Sequence, residues 1–419
     1  MERDSIYKEI GKRLDGLYIY NNIKENEIIK ALYALCEEGG KNQRSFVQKL
    51  IFEAEKEGLS GNIYKDLIIK IFLQDENYFT LALERKENIG NKSILQFAHK
   101  DMEAIYYILS IPPEFFLGSD GEYIKDYKSL EESNLNFLEG INAQSFDEFF
   151  ESTADYYMEK GCGDLAVYPA FRYNSAAKNL EPVENFDKVY FDEIIGCEYQ
   201  KKQLKSNTEA FLEGFRANNV LLAGSRGTGK SSCIKALSTE YYARGLRIIE
   251  IKKEQIMELS RILKLIEKRG KYFIIFVDDL SFEDFEIEYK HMKSLLEGST
   301  QARPKNVLFY ATSNRRHIIQ EKWKDKITDP NDEEVHTSDM MNEKLSLSDR
   351  FGLTLTFGRP SPDEFVNIVE GIARLEGMDI SKEELSKRAF QWELTHKGLS
   401  GRTARQFIDN LLWEKNANQ

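Results

Sequence analysis

The stretch Val220–Leu237 reads VLLAGSRGTGKSSCIKAL. Val220, Leu221, Leu222 and Ala223 form a short continuous apolar run, as a strand buried on both faces would. Gly224 to Ser231 then fit the pattern G-x-x-x-x-G-K-[ST]. Backbone N–H groups must curl around a polyphosphate, and glycine lets the chain come that close and take positive φ without penalty. A helix beginning near Lys230 would aim its unpaired N–H groups and positive dipole end at the anion. Gly224, Ser225, Arg226, Gly227, Thr228, Gly229, Lys230, Ser231 and Ser232 are therefore the expected phosphate cradle. Lys230 would reach the β- and γ-phosphates, and the Ser231 hydroxyl would go to Mg²⁺. The plainer reading is a glycine-rich turn with a chance lysine; the strand before it and the helix after it argue against that.

Downstream, YFIIFVDDL (Tyr272 to Leu280) is an apolar run ending in two aspartates. A carboxylate at the carboxyl end of a buried strand borders the ligand crevice of an open α/β sheet. Asp278 is thus the candidate to hold Mg²⁺ opposite Ser231 through its water shell, and Asp279 to polarise an attacking water. In VLFYATSNRR, Asn314 stands just past another strand tip, where its amide would position the same water, with Thr312 as the weaker candidate. Thr-Ser-Asn is also ordinary turn chemistry, so the order and spacing after the aspartates carry this assignment. In LSLSDRFGL, Arg350 precedes the last strand, and phosphoryl transfer gains much from a guanidinium placed against developing charge. The alternative is a surface arginine paired with Asp349, worth under ~1 kcal/mol if exposed. In SGRTARQFIDNLL, Ala404, Phe407, Ile408 and Leu411 share an apolar helical face, leaving Arg402 and Arg405 on the other side.

Strand candidates at Val220–Ala223, Arg247–Ile251, Tyr272–Val277, Val307–Thr312 and Thr354–Phe357 alternate with amphipathic stretches, which predicts a parallel sheet covered by helices. GRPSPDEF then starts a helix, with Ser361 as N-cap, Pro362 at the first position and Glu364 three residues on. Before the sheet, the first 111 residues hold no proline and read as helices. Capping boxes are expected at Ser45 with Gln48, Ser93 with Gln96 and Ser145 with Glu148, and again at Ser381 with Glu384. Ile28, Leu32, Leu35 and Cys36, and Val47, Leu50, Ile51 and Ala54, fall at helical spacing. The frequent aromatics, as in AIYYILSIPPEFFLG, read more readily as helical core than as a recruitment surface.

The 419-residue chain is long enough for two or three domains, and its 41% hydrophobic content is enough for packed cores. A net charge of −12 argues against coating nucleic acid non-specifically. Four scattered cysteines without a C-x-x-C suit a reducing cytosol, and five dispersed histidines give no zinc-protease spacing. The charged start MERDSIYKEIGKRLDG is no signal peptide, and no run of 18 uncharged apolar residues offers a membrane span.

Taken together, over about residues 189–415, these pieces resemble the AAA+ ATPase superfamily. VYFDEIIGCE is similar to the segment before the core that cups adenine, GSRGTGKS to Walker A, and FVDDL to Walker B. TSN is similar to sensor 1, SDRF to the arginine-finger box and SGRTAR to sensor 2. The resemblance implies Ile194, Ile195 and Gly196 near the base and Arg350 acting in trans. It implies Arg402 contacting the γ-phosphate, with Arg405 the runner-up. At whole-chain level the sequence resembles a bacterial AAA+ family of unassigned function with a helical N-terminal extension.

The implied fold is α/β, with a parallel-sheet P-loop core, a C-terminal helical lid and a mostly α-helical N-terminal domain. The expected division is a helical domain over 1–161, a linker over 162–188, the core over 189–358 and the lid over 359–419. The implied activity is that of a cytoplasmic, homo-oligomeric ATPase using ATP and Mg²⁺ to act on a protein partner chosen by the N-terminal domain. One departure is the Asp-Asp pair where most of the superfamily has Asp-Glu. Asp279 is a methylene shorter, so hydrolysis is expected to be slow, to use another carboxylate such as Glu283, or to be absent. The Asp-Asp pair and SDRFGL also resemble the replication-initiator and helicase-loader branch, which keeps a nucleic-acid-associated switch as an alternative. A small-molecule kinase and a module that binds ATP without cleaving it are the other rivals.

Overall fold

The computed structural model describes residues 3–130, 141, 143–280, 292, 304–314, 350–396 and 398–417. The chain divides into two compact units, one comprising Met1–Val167 with Arg269–Lys271 and the other Tyr168–Lys268 with Tyr272–Gln419.

The first unit is helical, with α1 (Arg3–Asp15), α2 (Glu27–Glu37), α3 (Gln43–Glu57), α4 (Ile63–Leu73) and α5 (Tyr78–Glu84). These are followed by α6 (Lys92–Ser110), α7 (Pro113–Leu117), α8 (Ser119–Lys125) and α9 (Phe146–Glu159). Asparagines start most of the longer helices. The Asn26, Asn62, Asn77 and Asn91 side chains each accept from N–H groups of the turn that follows, satisfying donors the helix itself leaves unpaired. Ser145 caps α9, its hydroxyl accepting from the Glu148 N–H at 3.2 Å, as expected. Ser45 and Ser93 do not cap. They lie inside α3 and α6: α6 is capped from upstream by Asn91, whose side chain comes first along the chain, while α3 begins after Asn42, which makes no side-chain cap.

Ile28, Leu32, Leu35, Cys36, Leu50 and Ala54 are buried, with Val47 and Ile51 packed partly against them. Phe116 is buried and Tyr106 and Tyr107 are half-buried, so the aromatic-rich stretch serves mainly as core. Asp101 on α6 accepts from the N–H groups of Tyr18, Ile19 and Tyr20 at 2.9, 2.6 and 3.1 Å and so pins the segment after α1.

Asp66 on α4 is a buried carboxyl whose Oδ1 has no hydrogen-bond partner among the described residues. Burial pushes its pKa up to about 7 from an ordinary 3.8, against the pull of Lys65. A folded-state pKa above the unfolded one gives stability that is present at low pH and lost as pH rises from about 4 through about 7. Asp66→Asn is therefore expected to be more stable than the natural chain at pH 8 by about 4 kcal/mol, and to gain little at pH 4. Urea midpoints at the two pH values measure this, and an equal gain at both would contradict it.

The second unit holds a seven-stranded sheet in the order β2-β1-β4-β5-β6-β3-β7. Its strands are β1 (Ala170–Asn174), β2 (Asn179–Pro182), β3 (Val220–Gly224) and β4 (Leu246–Ile251), then β5 (Tyr272–Val277), β6 (Val307–Ser313) and β7 (Leu353–Phe357). All pairings are parallel except β1 with β2. The five strands expected from apolar runs are therefore present. The stretch 162–188, expected as a linker, instead carries the hairpin β1–β2, and β1 pairs with β4 through Ala170↔Ile248. Phe171 and Tyr173 point into the core and Arg172 outward, an alternation too short to outweigh the Pro, Gly and Asn around it.

Helices α10 (Glu198–Leu212), α11 (Lys230–Tyr241) and α12 (Leu259–Ile266) accompany the sheet. The lid follows as α13 (Pro362–Leu375), α14 (Lys382–Thr395) and α15 (Gly401–Ala417), packed on Phe365, Val369, Leu385, Ala404, Phe407 and Ile408. Ser361 and Glu364 close the expected capping box at α13, and Ser381 caps α14. The architecture is thus α/β, with a parallel-sheet P-loop core, a C-terminal helical lid and a helical N-terminal unit, in keeping with the AAA+ resemblance. Among the described residues no helix is long and apolar enough to cross a membrane.

Candidate functional site

Because β3, β5, β6 and β7 run parallel, the loops leaving their carboxyl ends open on one edge of the sheet. The chain leaves β3 for β4, while β6 and β7 flank β3, which makes this edge a topological switch point. There a cleft of about 1450 Å³ is bordered by the β3–α11 loop, the strand tips, Ile194–Cys197 and the lid.

Close approach explains the first glycine. Gly224 ends β3 at φ +149°, and a Cβ there would land on the Phe357 carbonyl of β7, whose oxygen accepts from the Ser225 N–H at 3.2 Å. Gly229 has φ +90° and precedes the first residue of α11, so the opening N–H groups of that helix border the cleft.

Lys230 is only 6% exposed. Its Nζ donates to the Gly224 carbonyl at 3.1 Å, the Ser225 carbonyl at 2.7 Å and Asn314 Oδ1 at 3.1 Å. Burial lowers its pKa; Asp278 and Asp279 oppose the shift, whereas Arg226 and Arg402 add to it. Several like charges are therefore gathered where an anion would relieve them.

Facing the loop, Ser231 Oγ donates to Asp278 Oδ1 at 2.9 Å, and Thr312 Oγ1 donates to the same oxygen. Asp279 adopts φ +53°, a left-handed conformation that short polar side chains tolerate best among non-glycine residues. Its N–H donates to Thr312 Oγ1 at 2.9 Å. Asn314 Nδ2 donates to Asp279 Oδ1, and Arg226 Nη2 lies 3.5 Å from Asp279 Oδ2. Asn314 thus links Lys230 to Asp279 through the two ends of one amide. Thr312, read as a weaker water-positioning candidate, instead fixes both aspartates.

Ile194, Ile195 and Gly196 line the opposite wall. Lys201 was missed in the sequence because it reads as a surface helix residue. It is buried, and its Nζ donates to the Ile194 carbonyl at 2.8 Å and the Phe191 carbonyl at 3.5 Å, fixing this wall. Asn367, Ile368 and Ile372 of α13 face it.

From α15, the Arg402 N–H donates to the Gly227 carbonyl at 3.2 Å, which brings the lid onto the phosphate loop. Arg405 also borders the cleft but is committed to Glu376 at 2.7 Å and Asp409 at 3.0 Å. Arg402 makes no ion pair among the described residues. Arg359, just past β7, borders the same cleft, and no motif marked it. Arg350 is exposed and lies outside the cleft of its own chain. Asp349 and Glu283 are outside the described residues.

Residues 166–415 match the family described as "Protein of unknown function (DUF815)". No curated protein matches the chain. Among solved structures the chain is similar to the Thermotoga maritima RuvB Holliday junction branch migration motor. Identity is 18%, covering 54% of this chain and 72% of that one at a TM-score of 0.33. A single-residue variant of that motor matches with 18% identity over 54% and 73% of the two chains, at a TM-score of 0.34.

Proposed function

The chain belongs to the DUF815 family, whose description leaves the chemistry open, and on that footing we propose that it is a cytoplasmic AAA+ ATPase. It binds ATP with Mg²⁺ in the cleft at the carboxyl edge of the sheet and hydrolyses it between subunits of a homo-oligomer. Turnover is coupled to remodelling or regulating a protein partner selected by the helical N-terminal unit. One observation carries the reading: a buried lysine, an amide and two aspartates join around one opening beside the N-terminus of α11.

Each residue has a role in this reading. The β3–α11 loop presents its N–H groups to the phosphates, and Lys230 neutralises them. Asn314 and Asp279 hold and polarise the attacking water. Ile194, Ile195 and Gly196 take the base, and Arg402 reaches down from the lid. Arg402 is favoured over Arg405 because the latter is already paired twice.

For the metal, the test is the donor set. Ser231 Oγ and Asp278 Oδ1 stand 2.9 Å apart, and among the described residues no cluster of three or more His, Cys, Asp or Glu exists to cage an ion. Two hard oxygen donors without a cage suit Mg²⁺, which keeps most of its waters and takes substrate phosphate oxygens. When bound there, the ion would neutralise phosphate charge.

A second reading also has an observation behind it. Both oxygens of Asp279 are engaged, one by Asn314 and one by Arg226, and the side chain is a methylene shorter than glutamate. That favours slow hydrolysis, or binding without it. A nucleic-acid-associated switch remains the third alternative; ATP-dependent, salt-sensitive DNA binding would support it.

Calorimetric titration of the full chain with ATP tests the proposal. Mg²⁺ is expected to tighten ATP binding about tenfold, through two ligands and their ordered waters. Asp278→Asn should erase that gain while leaving metal-free binding intact. No ATP binding at millimolar concentration would overturn the reading.

A further inference from the structure

We infer that Arg226, at the crest of the phosphate loop, is a cation that each subunit supplies in cis to the phosphoryl group being transferred in its own cleft. The inference rests on the ATPase reading and assigns a role that neither the loop pattern nor the trans arginine covers.

Four observations carry it. First, Arg226 lies between Gly224 and Gly227 and borders the cleft, so its guanidinium is tethered beside the phosphate cradle. Second, its Nη2 sits 3.5 Å from Asp279 Oδ2, on the carboxylate whose other oxygen is bound by Asn314. Lys230, Asn314, Asp279 and Arg226 thus form one chain of contacts, with a cation at each end. Third, the Arg226–Asp279 pair is loose, with side chains 75% and 47% exposed. Exposed pairs are worth under ~1 kcal/mol, so the guanidinium can leave Asp279 at little cost. Fourth, Arg226 makes no other ion pair among the described residues. Two cations held near each other are stabilised by an anion that touches both.

The chemistry follows from these positions. In hydrolysis the water oxygen bonds to the γ-phosphorus while the bond from that phosphorus to the β,γ-bridging oxygen breaks. The electron pair of the broken bond leaves with ADP, and the water proton passes to the Asp279 carboxylate and then to solvent. Negative charge spreads over the equatorial oxygens during the transfer. A planar guanidinium can hold two such oxygens at once, and it stays protonated throughout. When Arg226 moves from Asp279 to the phosphoryl group it also frees Oδ2 of the carboxylate to accept from the water. One displacement both neutralises the phosphoryl charge and releases the base.

The test uses the full chain with Arg226→Ala and Arg226→Lys, checked for unchanged melting. Affinities for ADP and for ADP with aluminium fluoride, a mimic of the transferring phosphoryl group, are measured in Mg²⁺ alongside single-turnover hydrolysis. The expected result for Arg226→Ala is ADP affinity within twofold of the natural chain and aluminium fluoride complex affinity down about tenfold. The hydrolysis constant should fall about 10²-fold, the scale for removing one preorganised charge-stabilising group. Arg226→Lys should recover part of the loss, and neither protein concentration nor added Asp279→Asn subunits, whose own clefts are defective, should restore it.

The affinity difference decides even where turnover is slow. Equal loss of ADP and mimic affinity, unchanged mimic affinity, faster hydrolysis, or rescue by added subunits would each overturn the inference. If the natural chain itself fails to bind ATP, the ATPase reading falls with it. If the natural chain binds ATP and Arg226→Ala behaves like it, this inference alone falls.

Discussion

Lys230→Ala is expected to lower ATP turnover by about 10²–10³-fold and to weaken ATP binding beyond ready saturation, because it removes the buried cation of the cleft. In the folded chain its ammonium is already drawn out of water, with burial depressing its pKa and three oxygens at 2.7–3.1 Å receiving its protons. A phosphate arriving beside it exchanges these neutral acceptors for charged ones, which form the stronger, charge-assisted hydrogen bonds. The alanine variant loses that exchange and leaves Gly224 O, Ser225 O and Asn314 Oδ1 without their donor. Asn314 then also loses one of the two partners that hold its amide against Asp279. ATP titration, steady-state turnover and thermal melting of the same preparation separate lost chemistry from lost folding. A folded variant with unchanged affinity and rate would remove the cleft from consideration as the ATP site.

Arg350→Ala is expected to leave ATP binding within a few-fold of the natural chain and to slow hydrolysis by about 10³-fold, the low end for an arginine supplied to a phosphoryl-transfer site by a neighbour. The side chain is exposed and does not border the cleft of its own subunit, so in this reading it serves the next one. Mixing supplies the discriminating measurement. An Arg350→Ala subunit keeps an intact Asp279, and an Asp279→Asn subunit keeps an intact Arg350. In an equal mixture about a quarter of head-to-tail interfaces would join the two intact halves, and a corresponding fraction of the rate should return. Absence of any recovery, at concentrations where mixed oligomers form, would rule out a site shared between subunits. The Asp279→Asn subunit held in ATP has a second use, since whatever its N-terminal unit retains in a pull-down identifies the partner.

The parts of the site legible in the sequence are those built locally. The apolar run of β3, the glycine spacing and the start of α11 lie within one stretch and answer to backbone sterics and helix-end chemistry alone. Ser361, Pro362 and Glu364 mark the start of the lid for the same reason. Where two local caps compete, the pattern alone misleads: Asn91 caps the helix that Ser93 is expected to start. The hairpin β1–β2 was hidden because a five-residue strand depends on its neighbours in the sheet, and one of them, β4, pairs with it from 78 residues further along.

By itself, then, the sequence determined that a phosphate loop joins a buried strand to a helix, that two aspartates end another strand, and that a capped helical segment closes the chain. Tertiary structure alone decided that β6 lies between β5 and β3. That order brings Thr312 onto both aspartates, sets Asn314 between Lys230 and Asp279, and leaves Arg226 facing Asp279 across 53 residues of chain. It also sets the two lid arginines apart, by placing Glu376 beside Arg405 and the Gly227 carbonyl beside the Arg402 N–H. The physical reason is that hydrogen bonds and ion pairs depend on separations of a few ångströms. Sequence spacing governs those distances within one turn or strand, and only packing governs them between elements.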